Sequence, residues 1–130
     1  MVFTEFEADI GGSQRKVISA AVTPARLSDG ENGIALRKQR TLPFRVTRMW
    51  SAPAGHYPEQ WYLVDPETKE VIYEGPKHEI SIWGLQAPTE ERDEISTPID
   101  LEPGAYLIVF ALGGVKGGEL EIAAADYPSA

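Results

Sequence analysis

Few side chains in this 130-residue sequence could do chemistry. There is no cysteine, which removes thiol nucleophiles, disulfides and thiolate metal sites together. The only histidines are His56 and His78, in "HYPE" and "KHE", so each has an acid close by in sequence. Metal binding or acid–base work would need the two to share a site, and neither lies in a zinc-protease pattern. "GGSQ" lacks the G-x-S-x-G nucleophile elbow and reads as a turn. "GGVKGG" lacks the Walker spacing and a following helix, so it reads as a hairpin turn and not a phosphate loop. The acidic run Glu90, Glu91, Asp93 and Glu94 lacks calcium-loop spacing and reads as a solvated loop. A pair of carboxylates converging across a sheet, as in glycosidases, stays open. The expectation is a chain with no catalytic residue, no cofactor and no bound metal.

Charge and aromatic rings remain. The net charge of −8 is unevenly spread: residues 1–50 carry eight Lys/Arg and five Asp/Glu, and residues 51–130 carry four and fifteen. Five of the basic residues, Arg37, Lys38, Arg40, Arg45 and Arg48, fall within "RKQRTLPFRVTR". The molecule is expected to have two electrostatic faces. Phe44 and Trp50 interleave with these cations, as in nucleic-acid binders. Phe44, however, shares an inward phase with Leu42 and Val46, and the acidic remainder would repel phosphate. An acidic protein surface is the expected partner, and a neighbouring copy has one.

The stretch "WSAPAGHYPEQWYLVD", residues 50–65, gathers the rings. Trp61 and Leu63 alternate together and belong to the core. Trp50, His56 and Tyr57 flank the "SAPAG" connector, while Tyr62 and Trp83 are out of phase with the core and face outward, side by side. Exposed rings anchor protein interfaces or stack on sugars. The stretch reads first as a corner between strands, then as an interface ledge, and last as a glycan site.

The elements that must position these groups are strands. Phe6, Ala8 and Ile10 alternate with acids in "TEFEADI"; "RKVISAAV", "LPFRVT", "QWYLV", "EVIYEG", "EISIWGL" and "EISTPIDL" follow, and "GAYLIVFAL" and "GELEIAAA" close the chain. Asp65-Pro66 starts a type I turn between the fourth and fifth of these. Pro98 marks "EISTPIDL" as an edge or bulged strand. The fold class is all-β: a single domain, residues 1–130, formed as an antiparallel β-sandwich of about eight or nine strands, immunoglobulin-like or jelly-roll-like. Residues 23–41 form one long loop or arm. No apolar run reaches the roughly 20 residues of a membrane helix, and the first residues carry no secretory leader. The chain is expected to be cytoplasmic or part of a virion, without a membrane partner.

"LEPGAYLIVF" carries a resemblance. Leu101, Pro103, Gly104 and Tyr106 resemble the L-x-P-G-x-Y approach to the penultimate strand of immunoglobulin-like and fibronectin-type-III-like sandwiches, and Trp61-Tyr62 resembles their central-strand Trp-Tyr. The likeness spans residues 60–125. It implies that the Tyr106 hydroxyl bonds back to upstream backbone and that Trp61 packs under the facing sheet. It implies a fold and no particular function. With Tyr106 inward, Leu107 and Val109 face outward and need a cover, either the 23–41 loop or another chain. The expected function is a non-enzymatic structural or interaction module in a larger assembly, such as a virion or phage-particle decoration or tail component. Its partners would be copies of itself or a capsid or tail surface. The alternative is a carbohydrate-binding module using the outward aromatics, with a glycan as partner.

Overall fold

A computed structural model describes residues 4–5, 16–24 and 33–126. These form eleven strands: β1 (Thr4–Glu5), β2 (Lys16–Pro24), β3 (Gly33–Arg37), β4 (Arg40–Thr41), β5 (Phe44–Ser51), β6 (Gly55–Val64), β7 (Val71–Glu74), β8 (His78–Ile82), β9 (Thr89–Ile95), β10 (Gly104–Leu112) and β11 (Val115–Asp126). The smaller sheet has the order β1-β2-β5-β9, and the larger β4-β3-β11-β10-β6-β7, with β8 also paired to β6. The fold is all-β. The larger sheet curls as a half-barrel around the core and does not lie flat as one face of a clear sandwich. The expected Phe6, Ala8 and Ile10 strand and the "GGSQ" turn lie outside the described residues.

Local chemistry explains the hairpins. β10 and β11 are joined by Gly113 and Gly114, at φ 63° and 78°, the type I′ geometry that glycine adopts without a Cβ clash. Asp65 opens the β6–β7 turn. Its Oδ1 accepts the amides of Glu67 at 2.8 Å and Thr68 at 3.1 Å. These two N–H groups, Thr68 foremost, hold the Asp65 carboxyl below its ordinary range. The turn's support is therefore present at neutral pH and is lost as the pH falls through that lowered value.

Three expectations about elements need correction. Residues 23–41 are not one loop: 33–37 form β3, which runs parallel to β11, and 40–41 form β4. Long-range parallel pairing leaves no local signature, which is why "GIALR" reads as irregular in isolation. The acidic run 90–94 is not a loop but most of β9, paired with β5 from Phe44↔Ile95 to Trp50↔Thr89. "EISTPIDL" therefore contributes only its first two residues to a strand, and Pro98 lies outside any named strand.

One core fills the space between the sheets. Phe44 and Val46 of β5, Trp61 and Leu63 of β6, Ile108 and Phe110 of β10, and Leu120 and Ile122 of β11 all contribute to it. Phe44 meets Trp61 edge-on at 6.3 Å. Tyr106 is buried, and its hydroxyl donates to the Glu102 carbonyl at 2.6 Å, four residues upstream. Burial, then the charges of Glu102 and Asp65, push its ionisation above the ordinary tyrosine range. Tyr106→Phe removes this bond and leaves a carbonyl unpaired. The expected loss is about 1–2 kcal/mol, read as a lower urea midpoint; an unchanged midpoint would show that the bond contributes nothing.

Candidate functional site

The inward phase of β5 continues from Phe44 and Val46 to Arg48 and Trp50, and both are fully buried. Facing them from β6 is Glu59, also fully buried, two residues before Trp61. Arg48 Nε donates to Glu59 Oε2 at 2.7 Å, and Nη2 to Oε1 at 2.5 Å, so the fork is bidentate. Trp50 Nε1 adds a bond to Glu59 Oε2 at 2.8 Å. Asp93 of β9 completes the cluster: its Oδ2 accepts Trp61 Nε1 at 2.7 Å and stands 3.2 Å from Arg48 Nη1. His78 Nε2 of β8 lies 2.5 Å from Asp93 Oδ1 and is the cluster's partly exposed rim.

This is a carboxylate pair converging between sheets, the arrangement the sequence left open. Both oxygens of each carboxylate are already occupied, and Glu59 is closed to solvent. The chemistry available is electrostatic cross-linking of the two sheets. Among the described residues, no group of three His, Cys, Asp or Glu side chains could hold a metal, and no helix is long and apolar enough to cross a membrane.

Several candidate interface residues are relocated by this geometry. Arg48 and Trp50 belong to the core and not the surface, because alternation along β5 carries them inward. Arg45, on the opposite phase, is half-buried and pairs with Glu94 at 3.4 Å. Arg37, Lys38 and Arg40 are exposed at the β3–β4 tip, where Lys38 and Gln39 take φ of 53° and 59°. Two left-handed non-glycine residues are strained there, and contacts to the 99–101 segment hold them: Leu101 N donates to Gln39 O at 2.9 Å, and Arg40 pairs with Asp100 at 3.3 Å.

Residues 52–54 carry the chain from β5 in the smaller sheet to β6 in the larger. Tyr57 packs partly on the core and donates to Pro53 O at 2.7 Å. His56 is exposed and meets Ser81 Oγ at 2.8 Å, so it shares no site with His78. Trp83 is 83% exposed, in the β8–β9 turn. It does not stand beside Tyr62: Ile82 pairs with Gly55 at the start of β6, whereas Tyr62 lies near its end.

Tyr62 instead belongs to an open groove of about 420 Å³ on the outer face of the larger sheet. Its walls are Tyr62, Val64, Val71, Leu107 and Val109, with Lys69, Lys116 and Glu119 at the margins. Leu107 is buried and Val109 half-buried, and Lys69 and Val71 from the β6–β7 hairpin line the same groove. Of the 23–41 segment, Thr23 and Pro24 end β2 in the smaller sheet, and β3 and β4 sit at the opposite edge of the larger sheet from β7; none of these lines the groove.

No known protein family and no curated protein matches this chain. Among solved structures it is similar to part of the alkylpurine DNA glycosylase AlkC of Pseudomonas fluorescens, bound to DNA containing an abasic site analogue. That match has 20% identity and a TM-score of 0.47, covering 88% of this chain and 31% of the other. A second match is to part of a β-glucosidase from Listeria innocua in complex with glucose, with 13% identity and a TM-score of 0.49, covering 91% and 17%. The chain thus spans less than a third of either protein, and likeness at this level carries no argument about activity.

Proposed function

We propose that this chain is a non-enzymatic interaction module that takes its place in a larger assembly through the outer face of its larger sheet. The open groove over Leu107 and Val109 carries this reading. Its walls are branched aliphatic side chains and a tyrosine and its margins are charged, the apolar lining with a few polar groups that concave binding sites share. The saturated Arg48–Glu59–Asp93 cluster supports the non-enzymatic half, since its charged groups satisfy one another inside the core. An immunoglobulin-like relationship is part of the proposal, supported by the Tyr106–Glu102 bond and the burial of Trp61 between the sheets. A particle decoration or tail component is the assembly type that suits a small, cysteine-free β domain. Trp83 favours a second reading, a carbohydrate-binding module, because an exposed indole can stack on a sugar face.

The test is the mass of the native species in extracts of the source organism. The wild-type chain is expected in a species well above its own 14.3 kDa. Val109→Glu, which places a charge on the groove wall, is expected to release it as the free chain. A wild-type chain found free overturns the proposal. Oligosaccharide binding that disappears in Trp83→Ala would replace it with the second reading.

A further inference from the structure

We infer that the exposed Trp83 turn and the open groove above Leu107 and Val109, with Val71 exposed on its wall, are the halves of one contact, in which the Trp83 turn of one copy seats in the groove of the next. This rests on the groove being an interaction surface, and it names the occupant as a second copy of the chain. Trp83 is not on a loose loop. The turn is closed by a bridge between Gly84 and Ala87, Ala87 N donates to Gly84 O at 3.2 Å, and Ser51 Oγ donates to Leu85 O at 3.0 Å. A ring presented on a fixed turn loses little freedom on binding, and tryptophan is the side chain most enriched at interface hot spots. Leu85, 44% exposed, extends the apolar tip.

Charge complements shape. Lys69, Lys116 and Glu119 stand at the margins of the groove, and Lys116 is paired with Glu119 at 2.9 Å, so the margin carries one net positive charge and Lys69 is the cation that faces a partner. The Trp83 turn leads into β9, whose first residues include Glu90 and Glu91; Arg92 pairs with Glu90 at 3.5 Å, so these three residues carry one net negative charge. Opposite signs across such a contact set its orientation, and an ammonium group over an indole adds a cation–π attraction.

The register of β6 excludes an internal contact. Ile82, immediately before Trp83, pairs with Gly55, and the groove begins at Tyr62 and Val64. That separation along one strand is roughly 23–30 Å at about 3.3 Å per residue. A turn at one end of β6 and a groove at the other can meet only between copies. The contact joins unlike patches, so it propagates head to tail into a ring or an open row.

The experiment is sedimentation velocity of the purified chain over a concentration series, for wild type, Trp83→Ala and Val71→Arg, with Val109→Lys as a second groove variant. Urea midpoints identify any variant that fails to fold. Wild type is expected to gain mass with concentration, and Trp83 emission to move to shorter wavelength as it does. Each single variant should shift the association midpoint by roughly tenfold or more, the effect of losing a hot-spot residue. Mixing Trp83→Ala with a groove variant should give a dimer and nothing larger, because only one productive contact remains between them. Wild type that stays monomeric, or folded variants that associate as wild type does, overturn the contact. A purified chain that is monomeric yet runs in a heavy species in source extracts removes the second copy as occupant and leaves the interaction module standing.

Discussion

Arg48→Met is expected to remove about 3–5 kcal/mol of folding free energy, the loss typical when one partner of a buried ion pair is deleted. Arg48 is fully buried and holds both oxygens of Glu59 while also facing Asp93. Methionine fills much of the same volume but leaves two carboxylates in an apolar core with only the indole N–H groups and His78 to satisfy them. Small domains hold only about 5–15 kcal/mol in total, so the variant should unfold at a much lower urea concentration. Arg48→Met combined with Glu59→Leu should regain part of the loss and no more, because the unpaired Glu59 charge is gone while Trp50 Nε1 lacks its acceptor and Asp93 its arginine. A double-mutant cycle measures this directly. A single-variant loss below about 1 kcal/mol, the range of exposed pairs, would show that the cluster does not tie the sheets together.

The second large effect concerns glycine. A Cβ at Gly117 would collide with the Trp50 ring, and one at Gly75 with the Trp61 ring. Neither indole can easily retreat: Trp50 Nε1 is bonded to Glu59 and Trp61 Nε1 to Asp93. Gly117→Ala and Gly75→Ala should each cost about 2–3 kcal/mol, the upper part of the usual overpacking range. Gly114→Ala is the contrast. It meets nothing within 4 Å and strains only a backbone at φ 78°, for about 1 kcal/mol. Thermal or urea melts of the three variants should separate collision from conformational strain; equal losses would mean that the tryptophans move aside.

The parts of this fold that depend on local pattern were legible in the sequence. Alternation placed Trp61, Leu63, Ile108 and Phe110 inside, and turn chemistry placed the Asp65 hairpin and a second turn at "GGVKGG", of which Gly113-Gly114 alone form the turn while residues 115–118 belong to β11. The buried cluster was missed because charge was read as surface. The signal was nevertheless present: stepping the inward phase of Phe44 and Val46 forward reaches Arg48 and Trp50, and stepping back from Trp61 reaches Glu59. An arginine and a glutamate on the inward phases of neighbouring strands are a buried pair in waiting. The β3–β11 pairing was not legible, because parallel partners far apart in sequence share no local pattern. The outward phase of Leu107 and Val109 was legible, but which neighbours wall them depends on the β6–β7 hairpin and so on tertiary placement.

The parallel pairing also has a mechanical consequence. β3 enters from the N-terminal side and β11 leaves toward the C-terminal side, matched from Gly33↔Ala123 to Leu36↔Asp126. Tension applied across these two strands, through the connection into β3 and out of Asp126, slides them past one another along their common axis. Every rung of the ladder is then loaded at once, where an antiparallel hairpin pulled from its open end would unzip rung by rung.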